Sequence, residues 1–504
     1  MNRLNMNRHL RGMQLHIRII AIFFAWHSIS STVYAQEHQN SDKILVRISY
    51  ETKAQENKVK TLVTQKLKSA IEHEKLGRYI ETRLTWEQIV HLRLHGYDVA
   101  IVFTIHLSNA SPAYHDYEEV VHELDSLADE YSPLIHLTKI GESASLKNAI
   151  WAVKISDNPE SEEDEPAVLF IGGHHAREPL GVEVCLYLIK YLCENFSKQP
   201  GVKQWIDESE IWFVPVLNPD GLQFALDPER KLSWWRKNCR DNNQNGRFDP
   251  DSDGVDLNRN YDFNWEQGGS SDVTSLYYRG PAPFSEPELQ ALRDLAFQQN
   301  FIFAIDYHSF GESVLYPWGN YLKPPEFHLI MNIAEELASR IQKTSKAETY
   351  DLIPLDALMG QSAVWFYAEM HVLSYIIETG DTYYPPENKI KSICEKNLKA
   401  VEYLLNRLHA ARLYGHVRDA ITKEPLVAQV QIQSISIPCV KSRQSEPTFG
   451  RYDKILIPGT YSITFTALGY LSKTVTEIVI YEDKPTLLDV ELLEDKNYRP
   501  MGNY

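Results

Sequence analysis

Residues 167–178 read AVLFIGGHHARE, so that five apolar residues run directly into two glycines, two histidines and a glutamate. A continuous apolar run of this length is typical of a strand that helices cover on both faces, and α/β sheets bind ligands in the turns after such strands. His175 and Glu178 offer an imidazole and a carboxylate three residues apart, which can hold one metal ion from a single turn. His174 lies four residues from Glu178 and could reach the same ion. The segment therefore predicts an α/β domain with a metal site at the end of a buried strand.

The pair formed by His175 and Glu178 needs a partner from elsewhere, because hydrolytic zinc commonly takes three protein ligands and keeps one position for water. His308 follows another apolar run, residues 301–305, and is suited to supply the third ligand. A pair this short also occurs by chance, and histidines that merely cap a strand are the alternative. The five cysteines include no CxxC spacing, which argues against a cysteine-based zinc site. The pattern favours a zinc hydrolase.

The charge of the chain and its N-terminal sequence indicate which binding partners and which cellular compartment to expect. The net charge of −17 argues against nucleic acid, which needs clustered lysine and arginine. Four arginines precede the apolar run 19–26, and residues 33–35 read VYA, a small-residue cleavage pattern. We predict a signal peptide over residues 1–35, and the short apolar run disfavours the alternative of a membrane anchor. The mature chain is then expected to be secreted or periplasmic, with no membrane span.

The hydrophobicity pattern divides the chain into three folded regions, about the number that the length/150 prior gives for 504 residues. Residues 42–108 combine strand-like alternation with helical periodicity and predict a small α+β domain. Residues 112–412 alternate helices with short, continuously apolar strands, which predicts a larger α/β domain. Residues 414–495 contain short alternating strands separated by Pro-Gly and Leu-Gly turns, which predicts a β-sandwich.

Ordered short motifs run through the central region. They are 114–119 (YHDYEE), 175–178 (HARE), 215–221 (PVLNPDG), 235–238 (WRKN), 254–260 (GVDLNRN), 284–288 (FSEPE), 308–309 (HS), 316–319 (YPWG) and 378–381 (ETGD). In this order they resemble the zinc metallocarboxypeptidases of the carboxypeptidase A and B type and their bacterial relatives. The resemblance covers about residues 114–412. It implies a mixed-sheet α/β domain, one zinc ion, and hydrolysis of the C-terminal peptide bond of peptides or proteins.

The resemblance assigns roles around the metal. His175, Glu178 and His308 match the family's three zinc ligands. Asp256 matches a buried carboxylate that supports the first zinc histidine and fixes its orientation. Peptide hydrolysis accounts for these residue types on its own terms, because zinc lowers the pKa of bound water toward about 7 and polarises a carbonyl.

The same resemblance assigns the catalytic and substrate-binding side chains. Glu378 ends an apolar run and matches the general base and acid, while Arg236 matches the cation that stabilises the tetrahedral oxygen. Arg259 and Asn258 match the pair that binds the substrate's terminal carboxylate, for which a planar guanidinium is well shaped. Arg177 matches an arginine that contacts the peptide further from the cut.

Two features depart from the family's pattern. Aligning Trp365 with the family's tryptophan places Asp356 where the family has a mobile tyrosine that closes over the substrate, and Tyr350 is the nearest upstream tyrosine. The same alignment places Ala363 at the pocket position that separates apolar from basic preference, and Gly319 occupies another pocket position. Neither is acidic, which favours neutral or apolar C-terminal residues unless Asp356 points into the pocket.

A second metal is predicted between Arg236 and Asn258. Asp241, Asn243 and Asn245 place oxygen ligands at alternate positions before a glycine, as at the start of an EF-hand-type calcium loop. The twelfth position of such a loop is Ser252 rather than glutamate. A polar, solvated turn is therefore the alternative to a calcium site.

The regions on either side of the α/β domain also carry predictions, and two alternative functions stay open. Residues 414–495 resemble the transthyretin-like domain that follows the catalytic domain in regulatory carboxypeptidases. Residues 42–108 are an activation propeptide or a permanent accessory domain. The rivals to a carboxypeptidase are a related zinc peptidase that acts on cell-wall peptides or modified peptide tails, and a non-catalytic peptide-binding homologue.

Overall fold

The chain forms two compact units, one within residues 1–107 and one within residues 108–504. The computed structural model describes residues 44–50, 52–67, 71–75, 79–84, 88, 92, 97, 99–101, 113–230, 232–318, 323–324, 326–355, 360–435 and 437–498. The predicted signal peptide over residues 1–35 lies outside this range, as do Gly319 and Asp356. Within the described residues, no helix is long and apolar enough to cross a membrane.

The described residues of the first unit include a small antiparallel sheet and a helix that follows its first strand in sequence. Its strands, paired in the order β2-β3-β1-β4, are β1 (Ile44–Ser49), β2 (Ile71–Lys75), β3 (Tyr79–Leu84) and β4 (Val99–Ile101). Helix α1 (Lys53–Thr61) begins at a capping box between Thr52 and Gln55 and continues into a π-helical turn, Leu62–Lys66. Val59 and Val63 lie four residues apart and join the buried core of this unit. This is the α+β character predicted for the region.

The second unit contains a large mixed sheet and the helices that cover it. Its sheet strands are β5 (Ile135–Glu142), β6 (Ala149–Ile155), β7 (Ala167–Ile171), β8 (Glu210–Val214), β9 (Phe303–His308), β10 (Ser313–Tyr316), β11 (Asp351–Pro354) and β12 (Leu373–Glu378). Its helices are α2 (Tyr117–Glu130), α3 (Leu180–Asn195), α4 (Pro200–Asp207), α5 (Pro219–Leu226), α6 (Pro287–Gln299), α7 (Phe327–Arg340), α8 (Ser362–Met370) and α9 (Glu387–Arg407). Short 3-10 turns cover Leu257–Arg259 and Trp265–Gln267.

The strand order places the predicted site residues at one edge of this sheet. The order is β11-β10-β12-β9-β7-β8-β6-β5, and the four central strands β12, β9, β7 and β8 are parallel. After β7 the chain forms β8 on one side and later returns to form β9 on the other. Open α/β sheets bind ligands beyond the carboxyl ends of the strands at such a reversal of strand order.

Strand β7 is apolar at every position because helices cover both of its faces. Val168 and Phe170 belong to a core that includes residues of α3 and α9. Leu169 and Ile171 belong to a second core with residues of α6 and α8. Because successive side chains of a strand point to opposite faces, both faces of β7 are buried. The predicted α/β fold with a large mixed sheet is confirmed.

Two further sheets follow in the same unit and share one core. One contains β13 (Arg412–Asp419), β16 (Arg451–Ile455), β19 (Thr486–Leu487) and β20 (Val490–Leu492). The other contains β14 (Ala428–Ile432), β15 (Arg443–Gln444), β17 (Gly459–Ala467) and β18 (Lys473–Ile480). Side chains from both sheets, among them Val417, Tyr452, Ile463 and Phe465, pack together. This is the arrangement expected of a β-sandwich.

The sandwich contacts the α/β domain through buried cations. The Arg443 guanidinium donates to the Phe301 carbonyl at 2.6 Å, two residues before β9 begins. Lys454 lies 3.1 Å from Glu326, which precedes α7. Arg451 lies 3.3 Å from Asp164, in the loop before β7. Two of these contacts therefore hold the amino ends of strands whose carboxyl ends carry the site residues described next.

Candidate active site

Three predicted metal ligands converge beyond the carboxyl ends of β7 and β9. His175 and Glu178 lie in the turn between β7 and α3, and His308 is the last residue of β9. The Nδ1 atoms of the two histidines are 3.0 Å apart, and Glu178 Oε2 lies 2.9 Å from each of them. All three side chains are buried. The three atoms form a compact, nearly equilateral triangle.

The donor chemistry of this triangle calls for a cation. Asp256 Oδ1 lies 3.2 Å from His175 Nε2, and Asp306 Oδ2 lies 2.9 Å from His308 Nε2. Each aspartate accepts the Nε2 proton, which leaves the lone pair of Nδ1 directed at the triangle. Two imidazole lone pairs and a carboxylate oxygen meeting at about 3 Å repel one another unless a positive charge lies between them. Two nitrogens and one oxygen are a donor set that zinc takes in hydrolytic sites, so these residues fit the ion.

Burial and the charged neighbours shift the pKa values of the three ligands in different directions, and burial together with the Arg236 cation lowers the pKa of His175. The two histidines hold the pKa of Glu178 well below its usual value even though burial opposes this. Asp306 and Glu178 raise the pKa of His308 well above its usual value, again against the effect of burial. A proton therefore competes with a metal ion for His308, and metal binding should weaken as the pH falls.

Glu378 stands beside the metal triangle. It is the last residue of β12, and it pairs in parallel register with His308 on β9. Its half-buried carboxylate has no hydrogen-bond partner within the described part of the chain, and burial raises its pKa to about 7. A Cβ at Gly311 would lie 3.1 Å from Glu378 Cβ, so a larger residue there would press on this side chain. An uncommitted carboxylate with a pKa near neutrality can both accept and donate a proton.

Arg236 is fixed on the other side of the ligands by two carboxylates. Its Nε donates to Asp256 Oδ2 at 2.9 Å, and its Nη1 lies 3.5 Å from Glu178 Oε1. Its carbonyl accepts a hydrogen bond from the Ala176 N–H at 3.1 Å, which ties the 235–238 loop to the metal-binding turn. Asp256 therefore touches a metal histidine and Arg236 at once. It sets the position of the guanidinium relative to the triangle of candidate ligands.

The predicted carboxylate receptor follows Asp256 in one tight turn. Asp256 Oδ1 accepts the Asn258 N–H at 3.1 Å, and the Asn258 side chain bonds to Ser362 N and lies 3.1 Å from His308 Nε2. Arg259 donates one bond to the Asn258 carbonyl at 2.6 Å, and its other guanidinium nitrogens have no protein partner among the described residues. A half-buried guanidinium with unused donors is suited to receive an anion.

Arg177 lies between His175 and Glu178 in the sequence and is buried. Its guanidinium donates to the Trp234 carbonyl at 3.3 Å and stacks on the Tyr383 ring at 4.5 Å. Its Nε is buried without a partner among the described residues. Phe310 packs edge-on against the same tyrosine, with ring centroids 4.7 Å apart. These aromatic side chains form an apolar wall beside a cation.

His174, which by its position in the sequence could have reached the same ion as Glu178, has other partners in the structure. His174 Nε2 lies 2.8 Å from the Tyr261 hydroxyl, and its Nδ1 lies 2.8 Å from Asp306 Oδ1. The imidazole therefore contacts Tyr261 and Asp306, and it also lies with Asp306 and His308 in a second group whose ligand atoms are within 4.8 Å of one another. Sequence reasoning missed Asp306, which supports His308 as Asp256 supports His175. Its two-residue spacing from His308 puts both side chains on one face of β9, and that spacing was the available signal.

The structure describes only some of the residues predicted to close over the substrate or to line its specificity pocket. Asp356 and Gly319 lie outside the described residues. Tyr350 is buried, and its hydroxyl accepts the Gly380 N–H at 3.2 Å, so it supports the turn after Glu378. Ala363 is fully buried in α8. A hydroxyl held in this way is not free to close over a substrate.

Comparison with known proteins agrees with this geometry. A family model described as zinc carboxypeptidase matches residues 120–400. The chain is 30% identical over 316 residues to the zinc carboxypeptidase of Saccharothrix mutabilis subsp. capreolus, which covers 58% of this chain and 69% of that protein. It is 25% identical over 387 residues to carboxypeptidase D of Anas platyrhynchos, covering 72% of this chain but only 26% of that much longer relative.

A solved structure is also similar. The crystal structure of carboxypeptidase A from Helicoverpa armigera matches with a TM-score of 0.54 at 22% identity, covering 74% of this chain and 98% of that one. At this identity the likeness concerns the fold. Because the family model spans more than half of the sequence, the chain belongs to the zinc carboxypeptidase family and is a metallocarboxypeptidase.

Proposed function

We propose that this enzyme removes single residues from the C-termini of peptides or proteins, with one zinc ion held by His175, Glu178 and His308. The observation that carries the proposal is the turn from Asp256 to Arg259. Asp256 contacts the zinc ligand His175, and two residues later Asn258 lies against His308. We take this segment, which contacts both histidine ligands, as the receptor for a terminal carboxylate. Because the segment that would bind the carboxylate contacts the metal ligands, the cleaved bond would lie at a fixed short distance from the C-terminus of the substrate.

The proposed chemistry divides among four side chains. When bound, zinc would supply Lewis-acid activation of water and of the scissile carbonyl. Glu378 accepts the water proton and returns it to the leaving amine, for which a carboxyl pKa near neutrality is suited. Arg236 donates to the carbonyl oxygen as negative charge develops there. Arg259 holds the terminal carboxylate, and Arg177 contacts the peptide on the other side of the cut.

The test of this function is the dependence of cleavage on a free carboxylate. The zinc-loaded chain should release the last residue from N-blocked dipeptides, whereas the C-terminal amides should be cleaved roughly 10- to 100-fold more slowly, because the half-buried Arg259 guanidinium then lacks an anionic acceptor. Arg259→Ala should lose most of this discrimination, and Arg418→Ala, an exposed arginine of the sandwich, serves as the control. Mass spectrometry of the products measures both rates, and metal analysis measures zinc.

Equal rates on acids and amides would contradict the exopeptidase proposal. Cleavage confined to cell-wall peptides or to modified tails would favour the rival zinc peptidase. Zinc and peptide binding without any cleavage would favour the non-catalytic homologue.

The proposal extends to the rest of the chain. We take residues 1–35 as a signal peptide and the protein as secreted or periplasmic, on the strength of the sequence pattern. Residues 112–412 form the catalytic domain, and residues 414–495 form a transthyretin-like domain, which the two-sheet sandwich supports. Residues 42–108 form an α+β propeptide or accessory domain.

The calcium site at Asp241, Asn243 and Asn245 stays a prediction. Asp241 accepts the backbone N–H of Gly246 at 2.7 Å, and Asn245 Oδ1 accepts that of Arg247 at 2.8 Å, so the loop is held by its own side-chain oxygens. If calcium binds, saturating calcium should raise the melting temperature of the zinc-loaded chain by about 3 to 8 °C. Asp241→Ala should abolish the rise. Calorimetric scans that are identical with and without calcium would show a plain polar turn.

A further inference from the structure

Two buried glutamates of the 284–288 motif meet at one asparagine. Glu286 immediately precedes α6 and Glu288 lies in its first turn, and both are fully buried. The side-chain nitrogen of Asn238 donates to Glu286 Oε2 at 2.7 Å and to Glu288 Oε2 at 3.3 Å. The motif contributes no side chain to the proposed chemistry, so the burial of two carboxylates at this point needs another explanation.

Asn238 joins the two segments that carry Arg236 and Asp256. Its N–H donates to the Val255 carbonyl at 2.9 Å, and its side-chain oxygen accepts from the Val255 N–H at 2.8 Å. Arg236 lies two residues before Asn238, and Asp256 directly follows Val255. The bond from Arg236 Nε to Asp256 Oδ2 therefore spans two segments that Asn238 holds together.

The charges around the two glutamates do not balance. Glu286 Oε1 pairs with the Arg240 guanidinium at 3.0 Å and accepts from the Ser285 hydroxyl at 2.7 Å. Glu288 Oε1 accepts the Ala144 N–H at 2.9 Å, and no cation of the described residues forms an ion pair with it. Two buried carboxylates thus share one cation, and like charges this close together resist ionising at the same time.

The other titratable groups near Glu288 do not supply a second positive charge. Asp220 is another buried carboxylate, held by two backbone N–H groups at 2.9 Å. The Cys239 thiol and the Tyr278 hydroxyl are uncharged, because burial raises the pKa of each. Burial, and after it the neighbouring Glu286, raises the pKa of Glu288 from 4.5 to about 8. The neutral form of this carboxyl is therefore favoured at pH 7.

We propose that Glu286 and Glu288 hold one proton between them, carried on Glu288, and that Glu288 is thereby a positioning residue for Arg236. A neutral Glu288 lets the Asn238 amide bind both side chains without repulsion between them, which keeps the Arg236 segment against that of Asp256. Loss of the proton places a second negative charge in the same buried space and loosens the contact. The effect on catalysis rests on the proposed exopeptidase function, whereas the proton itself does not.

Glu288→Gln resembles the protonated side chain and isolates the effect of the proton. Because the folded chain binds this proton more tightly than the unfolded chain, wild-type stability falls as the pH rises from about 4.5 to about 8. The variant has no such proton to lose. Its melting temperature relative to the wild type should therefore rise by about 3 to 6 °C between about pH 5 and about pH 9. The matched control Glu395→Gln, at an exposed glutamate of α9, should show no such rise.

Infrared spectroscopy detects the proton directly. The difference spectrum between the wild type and Glu288→Gln should contain the carbonyl band of an un-ionised carboxyl group at about pH 6.5, and the band should vanish by about pH 10. Absence of this band at the lower pH would overturn the proposal, as would melting temperatures of Glu288→Gln that follow those of the wild type across the whole range.

Kinetics test the positioning of Arg236. Glu288→Ala removes an acceptor of the Asn238 amide and should lower kcat about 10-fold. KM for a blocked dipeptide should stay within about two-fold, because Arg259 binds the carboxylate. Glu288→Gln should keep kcat within about two-fold of the wild type and retain it above about pH 8, where the wild type declines. Equal losses in both variants would overturn the positioning role. If the wild type lacks carboxypeptidase activity, the proposed function fails, and the melting and infrared measurements still decide whether Glu288 carries the proton.

Discussion

Glu378→Gln should lower kcat by about 10³-fold while zinc content and peptide affinity stay near those of the wild type. The amide keeps the size of the side chain, so the neighbouring Gly311 and His308 need not move. It cannot accept a proton, and no other described carboxylate near the triangle is free to replace it. Glu178 is engaged with two histidines, and Asp256 with His175 and Arg236. Stopped-time assays on a blocked dipeptide and metal analysis check both halves of this expectation.

The pH profile distinguishes loss of the base from a general disturbance. Burial raises the pKa of Glu378 to about 7, and the base must be ionised, so activity falls as the pH drops through this pKa. A bound cation favours the ionised form, which places the acid limb of kcat/KM at or below about pH 7. The residual activity of Glu378→Gln should lack this limb. Glu395→Gln, an exposed glutamate of α9, should keep it together with full activity, and an unchanged kcat in Glu378→Gln would refute the mechanism.

The sequence was sufficient for the architecture because burial on both faces leaves a visible pattern. The run from Ala167 to Ile171 is apolar at every position because two cores receive its side chains alternately. The short alternating strands predicted for residues 414–495 likewise reflect the sandwich, as the burial pattern of β14 shows. The family's motifs then supplied an order along the chain, from which His175 and His308 could be expected near each other.

The sequence was insufficient wherever a residue acts through a partner distant along the chain. Asp306 matters because parallel pairing brings β9 beside β7 and β12, a relation that strand propensity does not contain. Tyr350 was a candidate by its position in sequence, yet its bond to Gly380 gives it a supporting role. Such contacts depend on three-dimensional packing rather than on local pattern.

His175→Ala should abolish zinc retention and, with it, carboxypeptidase activity. Loss of a residue that merely supports a metal ligand typically weakens metal binding about 10- to 100-fold, so the loss of a ligand nitrogen should exceed about 100-fold. The truncation also leaves Asp256 with one partner fewer, although Arg236 still neutralises it. Metal analysis after dialysis against a weak chelator should find well under one zinc per chain.

The adjacent His174→Asn variant is the informative comparison, because both histidines are buried and both touch a carboxylate that belongs to the site. If the triangle of His175, Glu178 and His308 is the complete protein ligand set, His174→Asn keeps its zinc. It should lose affinity only to the extent that Asp306 loses a partner and supports His308 less firmly, by about 10-fold. Zinc loss as large as that of His175→Ala would instead make His174 a ligand. The chelator concentration that removes half of the zinc separates the two outcomes, since His175 Nδ1 faces Glu178 and His308 whereas His174 Nε2 faces Tyr261.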